Sequence, residues 1–146
     1  MNKILIRDVG FALESNNLLS FLDKQTSEII HLPEDNSYYD DETAELVENM
    51  HFDQERYIRI EPLDSRSSFG VMQSFAENQP EGFFKKQLFF ALNGRHPFGR
   101  FKGVVHSNED LRQQWFKHKD EVYEAEALSW LTENGIDFEK PSKGES

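Results

Sequence analysis

Residues 18–33, LLSFLDKQTSEIIHLP, decide the fold class of this 146-residue chain. Two short apolar runs flank the polar stretch DKQTSE, a pattern typical of a β-hairpin. It predicts strands near 18–23 and 28–32. The run YIRI at 57–60, which Pro62 stops, predicts a third strand. The N-terminal half is therefore expected to contain a small antiparallel sheet, made of the hairpin plus one strand.

The rest of the chain is predicted to be mostly helical. Short helices are expected near 5–14 and 40–51, and from Ser65 onward apolar residues recur at helical steps. Asn78 is expected to cap the helix that follows it. In the last helix the apolar stripe comprises Leu111, Trp115, His118, Val122, Ala125, Leu128 and Leu131, and Asn134-Gly135 ends it. The fold class is thus α+β, with a C-terminal helical half.

Length and composition limit the domain count and the function classes. We expect a single α+β domain over 1–138 and a flexible C-terminal tail over 139–146. Lys and Arg number 16 against 27 Asp and Glu, so bulk binding to nucleic acid or anionic lipid is disfavoured. The chain has no Cys, which excludes disulfides and thiolate chemistry. No signal-peptide pattern or membrane-length apolar run is present, so we expect a cytoplasmic protein.

A basic segment interrupts this acidic chain. Residues 85–119 carry eight Lys or Arg but only Glu109 and Asp110 as acids. Such asymmetry favours either an anionic partner or packing against the acidic residues 34–48 of the same chain. The second explanation predicts salt bridges between the two regions and leaves no binding site.

The stretch GRHPFGRFKGVVH at 94–106 lies at the centre of the basic segment. Pro97 suits the first position of a helix. That helix would place three residues in the core, namely Phe98, Phe101 and Val105. Arg100 then falls roughly opposite the core face, and Lys102 lies at its edge.

The residues interpreted as ligand-binding are Arg95, His96, Arg100, Lys102 and Arg112. Arg95 and His96 precede a helix start, whose free amide groups attract a phosphate or a carboxylate. A salt-bridged structural turn is the alternative interpretation for these two residues. The expected partner is an acidic protein segment or a phosphate-bearing ligand.

Catalytic, metal and cofactor patterns are missing from the sequence. The histidines at 31, 51, 96, 106 and 118 lack the spacing of a paired zinc site, and Asp40–Glu42 lacks the pattern of a calcium loop. No phosphate-binding glycine motif occurs, and Ser65, Ser67 and Ser68 suit a helix cap. We expect no metal, no cofactor and no catalytic residue. His118, on the apolar stripe, is interpreted as a hydrogen-bonded core imidazole.

The block at 94–106, with LRQQWFKHKDE at 111–121 and ALSWLTENGI at 127–136, resembles the bacterial uncharacterised protein family 0158. The matching positions are Gly94, Phe98, Arg100, Phe101, Lys102, Trp115 and the Trp130-Leu131 pair. Gly99 and His96-Pro97 depart from the pattern. The likeness extends over most of the chain to about Asp137, and it implies a small soluble bacterial protein with no assigned activity.

Two classes of function follow from these observations. The first is a small, non-enzymatic cytoplasmic binding or adaptor domain whose basic surface holds an acidic protein segment or a phosphate-bearing ligand. The second is an enzyme that acts on an anionic small molecule, with His96 or His106 as acid or base. The enzyme requires a concave pocket that collects these groups. A nucleic-acid reader ranks last, because of the net charge of -11.

Overall fold

In the computed structural model, which describes residues 1–140, the chain forms six α-helices and a three-stranded antiparallel sheet. The elements in chain order are α1 (Lys3–Glu14), β1 (Leu18–Asp23), β2 (Glu28–Pro33), α2 (Asp41–Phe52), β3 (Tyr57–Ile60), α3 (Ser65–Glu77), α4 (Phe83–Leu92), α5 (Pro97–His106) and α6 (Glu109–Glu133), with a short 3-10 helix at Asn36–Tyr38. The α+β prediction is confirmed, including the hairpin and the third strand.

The chain divides into two compact units. Unit 1 comprises Met1–Leu63 and Tyr123–Ser146, and unit 2 comprises Asp64–Val122. The single domain expected over 1–138 stays a prediction. Most of the tail expected over 139–146 lies outside the described residues.

The sheet of unit 1 buries both faces of its central strand. The strand order is β2-β1-β3, and β1 pairs antiparallel with both neighbours. Because successive side chains of a strand point to opposite faces, Phe21 and Leu22 enter different cores. Leu22 packs with residues of α1 and of the last part of α6, whereas Phe21 packs with Met50 of α2. Both core faces of β1 therefore need a helical cover.

Helix α6 does not carry one continuous apolar stripe. Its residues buried in unit 2 are Leu111 and Trp115, and those buried in unit 1 are Tyr123, Ala127 and Leu131. Ala125, which was expected on the stripe, is exposed. The series in unit 2 ends with the partly buried Val122, and the series in unit 1 begins at Tyr123.

Unit 2 has an aromatic core in which Phe75, Phe101 and Trp115 meet edge to face. The Phe75 ring centroid lies 5.3 Å from that of Trp115 and 6.1 Å from that of Phe101. The Phe101 and Trp115 centroids are 4.9 Å apart. Such T-shaped pairs add about 0.5–1.5 kcal/mol each to simple area burial. This core sets the positions of α3, α5 and the first part of α6.

Two local predictions in unit 2 are wrong. Phe98 is 39% exposed, because the aromatic core takes up Phe101, one turn later on α5. Asn78 ends α3 and does not cap α4, since its backbone N–H donates back to Ser74 O. The next helix starts only after Gly82, whose φ of 148° is open to glycine and strained for other residues.

A half-buried ion pair between Asp23 and Arg56 ties the end of β1 to the segment before β3. Asp23, at 5% exposure, accepts hydrogen bonds from Arg56 Nε at 3.1 Å and Arg56 Nη2 at 3.0 Å. It also accepts one from the backbone N–H of Gln25 at 2.9 Å. The hydrogen bond from Arg56 is the main cause that lowers the pKa of the Asp23 carboxyl below its ordinary value.

The Asp23→Asn variant tests this ion pair through its pH dependence. A lowered folded-state pKa means that the carboxylate stabilises the fold above its unfolded pKa of about 3.9 and loses this effect as pH falls further. At pH 7 we expect the variant to lose about 2 kcal/mol of unfolding free energy. Urea unfolding should show this difference shrinking below about pH 4. An equal loss of unfolding free energy at pH 7 and below about pH 4 would contradict the ion pair. Glu55→Gln, a change at an exposed carboxylate, serves as the control.

Candidate functional site

The five predicted ligand-binding residues all belong to unit 2, but two of them, Arg100 and Lys102, lie on different flanks of α5. Phe101 and Val105 are fully buried and fix which face of α5 points inward. Relative to Phe101, Arg100 and Lys102 are each rotated by about 100°, in opposite directions. Both are exposed. The basic cluster of the sequence is therefore divided between two flanks of one helix.

The Arg100 flank faces an open groove between α4 and α5, which we call the α4–α5 groove. It has a volume of about 470 Å³. Its lining residues are Phe83, Gln87, Phe90 and Ala91 from α4, and Arg100, Gly103, Val104 and Ser107 from α5. Phe83 and Phe90 are 68% and 73% exposed, unusually high values for phenylalanine. The groove thus combines aromatic walls with one cation.

Gly94 leaves room for the Arg100 guanidinium. A Cβ atom added at Gly94 would lie 2.9 Å from Arg100 Nη1, closer than real Cβ contacts. The same position is 3.4 Å from the carbonyl oxygen of Phe90, near the C-terminal end of α4. The partial negative charge of a helix C-terminus favours a cation there. Within residues 1–140 no carboxylate forms an ion pair with Arg100.

The opposite flank of α5 faces aromatic and basic residues of α6. Arg112 Cζ and Lys119 Nζ lie 5.6 Å and 5.5 Å from the ring centroid of Phe116. His106 meets the same ring at 6.4 Å between centroids. Arg112 also forms an ion pair with Glu109 at 3.7 Å. Arg112 therefore has two partners within its own helix α6, Glu109 and Phe116, and it does not line the α4–α5 groove.

Arg95 and His96 lie in the exposed turn between α4 and α5. His96 has left-handed backbone angles of φ 52° and ψ 55°, and its side chain does not cap α5. Pro97 is the first residue of α5, as its fixed φ predicts. Neither residue of the turn pairs with a carboxylate in the described part of the chain. An anion site at these two residues stays a prediction.

Two Ser–His contacts have the distances of a nucleophile and base, but their surroundings favour a structural role. Ser74 Oγ lies 3.0 Å from His118 Nε2 and also donates to Val71 O at 2.9 Å, within its own helix. Ser20 Oγ lies 2.8 Å from His31 Nδ1, and Ser20 is only 1% exposed. Burial lowers the pKa of His31, so its neutral form is favoured. These contacts link core elements.

Phe83 and Phe90 were not among the binding residues predicted from the sequence. The signal was present in FFKKQLFFAL at 83–92, where pairs of adjacent phenylalanines supply more large apolar side chains than one helix face accommodates. Adjacent helical residues are separated by about 100°. One member of each pair is therefore forced toward the surface, and here Phe84 and Phe89 are the members packed against the core.

The described part of the chain contains neither a metal-binding cluster nor a membrane-spanning helix. Among residues 1–140, no three His, Asp or Glu side chains are grouped so that they could hold a metal ion. None of the helices in that part of the chain is long and apolar enough to span a bilayer. The cytoplasmic location stays a prediction.

Comparison with known proteins identifies the family. The sequence model of the Uncharacterised protein family (UPF0158) matches residues 2–142. The UPF0158 protein PA5073 of Pseudomonas aeruginosa is 30% identical over 131 residues, which cover 90% of this chain and 82% of that protein. No solved structure matches the chain. The chain therefore belongs to the UPF0158 family, as its resemblance at 94–106 indicated.

Alanine variants of Arg95, Arg100 and Lys102 test whether these cations hold the fold. Because all three are exposed, we expect each unfolding free energy to stay within about 0.5 kcal/mol of the wild type. Phe101→Ala is the matched core change and should cost about 4 kcal/mol. Urea midpoints and slopes provide the comparison. A loss above about 1.5 kcal/mol for any of the three cations would assign that residue a structural role.

Proposed function

We propose that this protein is a non-enzymatic binding module. Its α4–α5 groove holds a protein segment that presents an apolar side chain beside Asp or Glu. The observation that carries the proposal is that Arg100, which has no ion pair within residues 1–140, lines the same groove as the exposed rings of Phe83 and Phe90. Contiguous exposed apolar surface marks interaction sites, and these two rings line one groove. Aromatic residues and Arg are also the residues that most often dominate binding energy at protein interfaces.

The chemistry of the groove favours a protein segment over a phosphate-bearing ligand. Phosphate recognition draws on several donors, whereas only Arg100 among the groove residues is a cation. Aromatic walls instead suit an apolar anchor, and the guanidinium suits a carboxylate with two parallel hydrogen bonds. The two surfaces together specify an apolar residue with an acidic neighbour.

The local charge supports an acidic partner. Residues 64–122 contain nine Lys or Arg and seven Asp or Glu, although the whole chain has a net charge of -11. Unit 2 is therefore the part of this acidic protein with a positive balance. Complementary charge raises association rates and discriminates against wrong partners.

The lining of the groove also supports binding over catalysis. His96 and His106, the predicted acid or base residues, do not line it. An enzyme needs a proton-transfer group within hydrogen-bond reach of its substrate. The groove offers an amide at Gln87, a hydroxyl at Ser107 and the permanently charged Arg100. These groups are suited to recognition.

Selection from a displayed library of random peptides tests the proposal. We expect wild-type protein to enrich peptides that combine aromatic or large aliphatic residues with Asp or Glu. With Arg100→Gln the acidic preference should be lost, and with Phe90→Ser the apolar preference should be lost. Lys117→Gln, an exposed cation that does not line the groove, should leave the selected sequences unchanged. An absence of enrichment, or the same enrichment with both groove variants, would contradict the proposal.

Gly94→Ala tests the position of the Arg100 charge without changing its amount. The added Cβ must displace the guanidinium, since it would lie 2.9 Å from Nη1. The loss of a charge-assisted hydrogen bond corresponds to about 1.5–3 kcal/mol. We therefore expect fluorescence anisotropy to show at least about tenfold weaker binding of a selected peptide. An unchanged affinity would contradict a contact between the peptide and the guanidinium in its position beside Gly94.

A further inference from the structure

An exposed acidic surface of unit 1 has the chemistry that the α4–α5 groove requires. Residues 34–55 contain nine Asp or Glu and no Lys or Arg. Helix α2 lies in this segment and buries only Met50 completely. The stripe Asp41, Glu45, Glu48 and Phe52 follows helical steps of four, three and four, so these residues share one face. We call this face the α2 stripe.

Phe52 makes the α2 stripe more than a solvated acidic face. It is 91% exposed, at the end of α2, and Glu48 lies one turn before it on the same face. Neither Glu45 nor Glu48 forms an ion pair within residues 1–140. An almost fully exposed phenylalanine beside unpaired carboxylates is the combination of apolar anchor and acidic neighbour described above.

We propose that the α4–α5 groove is occupied by the α2 stripe of a second copy of this chain. Phe52 of the second copy inserts between Phe83 and Phe90, and its Glu48 pairs with Arg100. This inference rests on the proposed function and names the partner of that site. Charge complementarity supports it, because the acceptor unit is net positive and the segment at 34–55 has only acidic charges.

The two surfaces differ, so the contact is heterologous. Each chain carries one α2 stripe and one groove, and such contacts produce rings when they close and linear chains when they do not. Small, partly polar interfaces of this kind are weak and transient. Association should therefore appear at high protein concentration and decrease at high salt, since exposed charges are screened beyond about 10 Å at 0.1 M salt.

Sedimentation velocity of the full chain tests the inference. We expect reversible association between about 10 µM and 1 mM, the range of weak interfaces. The stripe variant, Phe52→Ser with Glu48→Gln, and the groove variant, Phe90→Ser with Arg100→Gln, should each be monomeric. Each loss should correspond to at least about tenfold weaker self-association. Unchanged urea midpoints establish that both variants are folded.

Mixing the two variants provides the sharpest result. The stripe variant retains a groove and the groove variant retains a stripe, so the mixture should form a one-to-one heterodimer that cannot grow further. A control chain that carries both Glu55→Gln and Lys117→Gln loses one acid and one base, as the stripe and groove variants do between them. It should associate like the wild type.

Three results would overturn the inference: a monomeric wild type at every concentration, association that either variant leaves intact, or no heterodimer in the mixture. The proposed function has a separate readout. If displayed peptides still bind in the groove of a monomeric wild type, only the second copy is excluded as the partner. If the groove binds neither peptides nor the second copy, both proposals fail.

Discussion

The burial of β1 on both faces is the constraint on which unit 1 depends. Phe21 and Leu22 are 2% and 0% exposed and point to opposite sides of the sheet. A three-stranded sheet cannot cover its own faces, so each side needs a helix. Residues of α1 and α6 cover the Leu22 side, and α2 covers the Phe21 side with Met50. Gly10 permits a close contact on the first side, because an added Cβ would lie 3.2 Å from Tyr123 O.

In unit 2 the corresponding constraint is the burial of Phe101 among aromatic rings. Its contacts with Phe75 and Trp115 fix the rotation of α5. Once Phe101 points inward, Arg100 must project from one flank and Lys102 from the other. The aromatic core therefore determines which charge is available to the groove. The make-up of the groove therefore depends on packing contacts that lie outside its lining.

The packing leaves phenylalanine side chains exposed on two helices, α4 and α2. Helix α4 has more phenylalanines than its buried face accepts, and Phe83 and Phe90 remain outside. Helix α2 packs mainly through Met50 and Val47 and leaves Phe52 exposed. Exposed aromatic residues reduce solubility and carry a hazard of non-specific association. Arg100 of α5 lines the groove with Phe83 and Phe90, and Glu48 lies one turn from Phe52 on α2. Neither charge has an ion pair within residues 1–140, so their opposite signs give a physical reason for specific association.

The sequence by itself determined the elements and the fold class. Alternating and helical apolar patterns predicted the hairpin, β3 and most helix positions, because burial of one face imposes a period on each element. Residues that start or end a helix, such as Pro97 and Asn134-Gly135, also act locally, and their positions were predicted from the sequence. The exposed state of Phe98 and the position of Asn78 were not, since both depend on which neighbouring side chains fill the core.

Only the tertiary structure decided how the basic residues are distributed. Arg95, His96, Arg100, Lys102 and Arg112 are close in sequence, and charge alone predicted one surface. The structure places Arg100 in the α4–α5 groove and Arg112 against Phe116 and Glu109. The physical reason is that a sequence specifies the angle between side chains along one helix. Which face of that helix is buried is set by its contacts with other elements. Those contacts are formed by residues far apart in the chain, such as Phe75 and Phe101.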